Sequence, residues 1–151
     1  MAFTTGTPLF RNALLLESCG NVFGGLGMIL FPQQILSLMT HSTAPVTPLS
    51  TELLQWLGGL ALALTTPLLL SYPNTAAGVA SRYTTYWTLG AGEAFLIALM
   101  GYQGLSGTSA FTARAMVASS GVLGATLAWR LYALILKPEI VGQVVDEKKR
   151  A

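Results

Sequence analysis

Residues 52 to 72 read ELLQWLGGLALALTTPLLLSY, and the only charge in this stretch is Glu52 at its start. A helix of this length rises 1.5 Å per residue and crosses roughly 30 Å of hydrocarbon. Three more apolar blocks of similar length flank it, and Pro-rich or Gly-rich loops separate them. The pattern predicts an all-α polytopic membrane protein, a bundle of four transmembrane helices. The expected spans are about residues 12–31, 52–72, 82–102 and 112–136, with residues 74–81 as a polar loop.

The composition sets the class of protein. The chain is 52% hydrophobic and 9% charged, against roughly 25% charged residues in an ordinary soluble domain. We expect one transmembrane domain over residues 1–138 and a cytosolic tail over 139–151. The net charge of +2 does not favour nucleic acid binding, and a single cysteine, Cys19, excludes an intrachain disulfide. Without a phosphate loop, a nucleophile elbow or a metal-ligand spacing, no cofactor or metal is expected.

Positive charges predict the orientation, because cytoplasmic flanks collect Lys and Arg. With four spans both termini share a side, and the opposite side holds only Arg114 and His41. We therefore expect both ends in the cytoplasm. The positive residues on the side of the termini are Arg11, Arg82, Lys137, Lys148, Lys149 and Arg150. An aromatic belt is expected on that same side, formed by Trp87, Trp129, Tyr72, Tyr83, Tyr86 and Tyr132.

The last four residues, Lys148-Lys149-Arg150-Ala151, have the dilysine form Lys-Lys-x-x. This form resembles the retrieval signal of endoplasmic reticulum membrane proteins, which is read in the cytosol. The resemblance implies an endoplasmic reticulum location. The alternative is an ordinary basic tail that only holds the orientation.

Small residues predict where helices touch, because close backbone approach drives helix packing in lipid. Gly20 and Gly24 have the GxxxG spacing in the first expected helix, so they are candidates for helix contacts and for a homo-oligomer interface. Similar ridges occur later in the chain. They are Gly90, Ala94 and Ala98 in the third expected helix, and Gly121 and Ala125 in the fourth.

Ionisable residues inside the expected spans are candidate functional residues, because a charge near the bilayer centre costs at least about 2.5 kcal/mol. Glu93 lies about 11 residues into the third span, hence ~16 Å deep, and Asn21 reaches nearly the same depth. Glu17 shares a helix face with Asn21 and lies ~6 Å nearer the cytoplasm. We expect the Glu93 carboxyl to be protonated or tightly hydrogen bonded.

Two ion pairs are possible from these depths. Arg130 enters the fourth span from the same side as Glu17, so these two can pair if the first and last spans adjoin. Whether Glu17 pairs with Arg130 or faces Glu93 stays open at this point. Glu52 and Arg114 offer a second pair at the opposite interface.

The run Phe23-Gly24-Gly25-Leu26-Gly27, the exit Phe31-Pro32-Gln33-Gln34-Ile35-Leu36 and the later Leu57-Gly58-Gly59-Leu60 give the first 100 residues a familiar layout. It is similar to the small four-helix DoxX-like membrane families, which imply no single activity. Buried acids in a small bundle also resemble sterol isomerases of the emopamil-binding type and fungal membrane-bound terpene cyclases. In those families intramembrane carboxyls protonate an alkene or epoxide, and aromatic rings shield the cation.

The resulting hypothesis is a cofactor-independent membrane enzyme, a cyclase or isomerase of a lipophilic terpenoid, sterol or polyketide-like substrate. Secondary-metabolite biosynthesis is the candidate pathway. Glu93 would be the general acid and Glu17 its companion. Substrate-binding candidates are Asn21, Tyr86, Trp87 and Arg130. The alternatives are a non-catalytic accessory, lipid-binding or oligomeric scaffold protein, and an ion or proton channel.

Overall fold

The computed structural model describes residues 2–145, so the retrieval-like sequence Lys148-Lys149-Arg150-Ala151 lies outside the described residues. The described part is helical apart from two paired two-residue strands. Its α-helices are α1 (Pro8–Leu30), α2 (Pro32–Met39), α3 (Pro48–Ser71), α4 (Ala76–Ser106) and α5 (Ala113–Leu131). A π-helical segment, Tyr132–Leu136, continues α5, and a 3-10 helix, Pro138–Ile140, follows it. The strands are β1 (Ala2–Phe3) and β2 (Val144–Val145).

Threonine side chains fix the start of every long helix. Thr7, Thr47, Thr75 and Thr112 each accept a hydrogen bond from a backbone N–H in the first turn. Proline follows the cap in α1 and α3, at the position where a missing N–H costs nothing. These caps start α1, α3 and α4 several residues earlier than expected. The expected loop over residues 74–81 is therefore wrong from Ala76 onward, where the chain is already helical.

Three helices are long and apolar enough to cross a membrane, namely α1, α3 and α5 with its π-helical continuation to Leu136. By length and composition these three could cross a bilayer, which indicates that the chain associates with a membrane. The remaining long helix, α4, has 31 residues and a length of about 46 Å. It contains Arg82 and Glu93, and these charges lower its hydropathy.

The closest helix contact joins α1 and α3 at Gly25 and Gly58. A methyl group on Gly25 would lie 2.8 Å from the Gly58 carbonyl oxygen, so neither position has room for a side chain. The contact expected at Gly20 and Gly24 within the bundle is absent, because a methyl group on either residue would meet no atom of residues 2–145 within 4 Å. Gly25 lies on a different face of α1 from Gly24, and the packed face is the one that Gly25 occupies.

The two ends of the described chain lie together at one end of the bundle. Strands β1 and β2 pair antiparallel, and the Thr7 backbone N–H donates to the Ile140 carbonyl oxygen at 2.9 Å. At the opposite end, an isolated bridge joins Thr40 to Phe111. The buried apolar core lies nearer the termini. It consists of Phe10, Leu14, Leu68, Tyr86, Ala133, Leu134 and Val141.

Candidate functional site

Three helices bring two acids and one base together beside this core. Glu17 from α1 and Glu93 from α4 both contact Arg130 near the end of α5. Arg130 Nη2 lies 2.8 Å from Glu17 Oε2, and Arg130 Nε donates to Glu93 Oε2 at 3.0 Å. The side chains are 5% (Arg130), 10% (Glu17) and 12% (Glu93) exposed. We call these three residues the buried triad.

The buried triad combines the two arrangements that the sequence left open, since Glu17 pairs with Arg130 and thereby shares a partner with Glu93. The sequence placed Glu17 nearer the cytoplasm than Glu93, yet in the structure both carboxyls reach the same arginine.

An aromatic chain of hydrogen bonds supports Glu17. The Tyr86 hydroxyl donates to Glu17 Oε1 at 3.1 Å, and Trp129 Nε1 donates to the Tyr86 hydroxyl oxygen at 3.1 Å. The Arg130 guanidinium carbon lies 4.7 Å from the centre of the Tyr86 ring, within cation–π range. Tyr86 is completely buried, so its expected place in an interfacial belt is wrong. Its hydroxyl is instead hydrogen-bonded to Glu17 of the buried triad.

An apolar groove of about 430 Å³ runs between α1 and α5, and Glu17 forms part of its wall. Half of its eight lining residues are aliphatic, and the aromatic part comes from Trp129. The groove opens to the outside of the bundle, on the surface that faces lipid if both helices cross the membrane. Its apolar lining includes Leu9, Ala13, Leu16, Ala125 and Trp129. An apolar chain fits such a groove, with the buried carboxyl at its side.

The structure places three of the expected groups apart from the triad. The Trp87 side chain is 52% exposed, and no hydrogen bond or ring contact links it to the triad within residues 2–145. Trp129, one helix away, is the aromatic residue that lines the groove. Asn21 makes no side-chain hydrogen bond to another described residue, and the Glu52–Arg114 ion pair is likewise absent from the described part of the chain. Both Glu52 and Arg114 are exposed.

Arg82 is a second buried arginine. From the sequence it was expected only as one of the positive charges that set the orientation in the membrane. Arg82 in α4 is fully buried and donates five hydrogen bonds, all to uncharged oxygens. Four acceptors come from the end of α3 and the turn after it, and one from the C-terminal segment. They are the carbonyl oxygens of Ser71 (2.8 Å), Tyr72 (3.3 Å), Pro73 (3.1 Å) and Val141 (2.7 Å), and Asn74 Oδ1 (2.8 Å). We call Arg82 with these acceptors the Arg82 cluster.

The positive charge of the Arg82 cluster is stabilised by the dipoles of a helix end. The last carbonyls of α3 have no helical partners and carry the negative end of the helix dipole, so they stabilise a cation without a carboxylate. Gly6 is required beside them, because a side chain there would collide with Arg82 Nη1. The cluster ties α3, α4 and the C-terminal segment together.

One donor of the buried triad has no acceptor. Arg130 Nη1 is buried and makes no hydrogen bond to any residue that the structure describes. A buried guanidinium N–H without an acceptor costs free energy. An oxygen atom of a bound molecule would satisfy it.

Compared with known proteins, the chain matches no family model, no curated protein and no solved structure.

Proposed function

We propose that the protein is a cofactor-independent membrane enzyme that cyclises or isomerises a lipophilic substrate by acid catalysis at the buried triad. The observation that carries the proposal is the charge count of the triad, which has two carboxyls and one guanidinium. The apolar α1–α5 groove beside Glu17 supplies the substrate site. Terpenoid, sterol and polyketide-like molecules have the required apolar character.

A four-span arrangement with both termini in the cytoplasm is part of this proposal. Three helices have the hydropathy of spans, yet strand pairing places residues 2–3 beside residues 144–145, which favours an even number of crossings. Helix α4 is the natural fourth span, because both of its inward charges have partners, Arg82 in its cluster and Glu93 in the triad. The bias of positive charge toward the termini favours the orientation, and the dilysine tail favours the endoplasmic reticulum.

The triad keeps one proton ready for transfer. One guanidinium balances one carboxylate, and a second ionised carboxylate would leave a net negative charge away from water, which is costly. The neutral triad therefore holds one carboxyl in its protonated form. A neutral carboxylic acid kept in an apolar site is suited to general acid catalysis.

The proposed reaction is balanced without a cofactor. The protonated carboxyl gives its proton to an alkene carbon or an epoxide oxygen, and a substrate cation forms. Trp129 in the groove wall shields that cation by its ring face. Loss of a different proton from the cation to the carboxylate gives the rearranged product and restores the triad.

The geometry changes the roles expected of the two acids. Glu17 borders the groove, so in this proposal Glu17 delivers the proton. Glu93 forms the ion pair with the Arg130 guanidinium. The free Arg130 Nη1 favours a substrate that carries an oxygen near the reacting bond. Epoxides, alcohols and enones of apolar skeletons belong to this class.

The test uses membranes that contain the full chain, a panel of terpenoid and steroid epoxides and alkenes, and deuterated water. With alkene substrates we expect a product that has gained one solvent deuterium on carbon, detected by mass spectrometry. With epoxides we expect an isomer with a new hydroxyl group, whose own deuterium exchanges with water and carries no information. Glu17→Gln and Glu93→Gln each remove the surplus acid and should lower turnover at least about 100-fold. Glu52→Gln changes an exposed glutamate and serves as the matched control. Full turnover in Glu17→Gln and Glu93→Gln would rule out acid catalysis by the triad.

The alternative function is a non-catalytic oligomeric scaffold, and one observation favours it. Gly20 and Gly24 lie on the outside of the bundle with no atom of residues 2–145 against them, as a GxxxG ridge would if it met a second copy. In that case Gly24→Leu separates the oligomer, as measured by its mass in detergent. Glu17→Gln then changes stability only. An unchanged mass in Gly24→Leu removes this alternative.

A further inference from the structure

Arg11 is a positive charge that meets no carboxylate among residues 2–145. It lies in the first turn of α1, and its guanidinium carbon lies 4.4 Å from the centre of the Tyr72 ring. No ion pair involves it within residues 2–145. Its Nε is buried and has no hydrogen-bond acceptor there. The residue is partly exposed, so a molecule from outside can reach its guanidinium group.

Arg82 places a second uncompensated charge beside the first. Arg11 lies on the ring of Tyr72, and Arg82 donates to the carbonyl oxygen of the same residue at 3.3 Å. The acceptors of Arg82 are dipoles and carry no net charge. An anion that approaches Arg11, at the end of the bundle that holds the termini, is therefore attracted by the positive charges of both arginines.

This pair lies where lipid headgroups are expected. Arg11 is near the start of α1 and Tyr72 caps the end of α3, and both helices are apolar enough to span. The ends of such spans lie at the level of the headgroups. Exposed leucines continue from there toward the membrane centre, Leu15 one turn along α1 and Leu69 one turn back on α3.

We propose that Arg11 binds the phosphate of an anionic phospholipid, whose acyl chains lie along Leu15 and Leu69. The phosphate accepts hydrogen bonds from the guanidinium group in a charge-assisted contact. It also supplies a negative charge, which neither Arg11 nor Arg82 meets among residues 2–145. Basic sites between membrane helices at the headgroup level recognise anionic lipids in this way. This site is separate from the buried triad and does not depend on the proposed catalysis.

The test measures lipids retained by the full chain, purified in detergent and mixed with equal amounts of phosphatidylglycerol and phosphatidylcholine. Native mass spectrometry counts the bound molecules. We expect the wild type to retain phosphatidylglycerol about five-fold over phosphatidylcholine, the effect of one interfacial arginine. Arg11→Gln should abolish this preference, and Arg11→Lys should keep most of it. Arg114→Gln is the matched control, because Arg114 is exposed and lies at the opposite end of the bundle.

Three results would overturn the proposal. They are equal retention of both lipids by the wild type, an unchanged preference in Arg11→Gln, and complete displacement of phosphatidylglycerol by an equal concentration of inorganic phosphate. The last result would indicate a free-anion site without a role for acyl chains. If Arg11→Gln does not fold, the wild type alone gives the answer. Salt at about 1 M shortens the screening length to about 3 Å, so it should remove a preference that arises from Arg11 and leave one that arises from acyl packing.

Discussion

Two buried arginines, Arg82 and Arg130, are held in opposite ways. Arg82 donates to five uncharged oxygens and meets no carboxylate in the described chain. Arg130 meets two carboxyls and keeps one donor without an acceptor. In the first site every guanidinium nitrogen has an acceptor, and the site joins three segments. The second has two carboxyls for one cation and one nitrogen without an acceptor in the described chain, which is what the proposed acid catalysis would use.

The difference predicts that the Arg82 cluster carries more of the stability. Arg82→Met leaves the carbonyls at the end of α3 and Val141 buried without their donor, so it should lower the free energy of unfolding by about 4 kcal/mol. Denaturation of the full chain in mixed micelles, followed by tryptophan fluorescence, measures this. Arg114→Met removes an exposed arginine and should cost less than about 0.5 kcal/mol. Equal losses in the two variants would mean that the Arg82 cluster does not hold the bundle together.

The second prediction is that stability lost by removing the arginine of the triad can be restored by also removing its carboxyls. The Arg82 cluster should not allow such a rescue. Arg130→Met leaves Glu17 and Glu93 buried without their cation and should cost about 3 kcal/mol. Adding Glu17→Gln and Glu93→Gln removes both ionisable carboxyls, so the triple variant should regain most of the loss. The same denaturation assay compares the two proteins. A triple variant as unstable as Arg130→Met would show that packing of the arginine, and not its charge, is what the site needs.

Part of this comparison could be predicted from the sequence. The depths of Glu17 and Arg130 predicted that they could pair, because both enter from the same side. Thr7-Pro8 and Thr47-Pro48 are cap signatures that would have given the earlier helix starts.

Two features could not be predicted from the sequence. They are the rotation of each helix about its own axis and the backbone carbonyl oxygens that a buried side chain binds. Tyr86 and Trp87 are neighbours in sequence, yet one is completely buried and the other half exposed. Which of the two faces inward depends on how α4 packs against α1 and α5, and a single sequence does not specify it. The acceptors of Arg82 are mainly carbonyl oxygens, which every residue has, so no sequence pattern marks them. Gly24 and Gly25 differ in the same way, because both belong to small-residue patterns and only Gly25 meets another helix.

The smallest effect is expected at Tyr86, where the triad meets the core. Tyr86→Phe keeps the buried ring but removes the hydroxyl that donates to Glu17 and accepts from Trp129. We expect the free energy of unfolding to fall by about 1 kcal/mol, since membrane hydrogen bonds contribute little each. The activation free energy should rise by more than the free energy of unfolding falls. The reason is that the hydroxyl orients Glu17, the acid that borders the groove. Tyr83→Phe is the control, because Tyr83 contacts the core and makes no hydrogen bond to the triad in the described residues. Equal turnover in both variants would mean that Glu17 needs no orienting partner, and the proposed role of Tyr86 would be wrong.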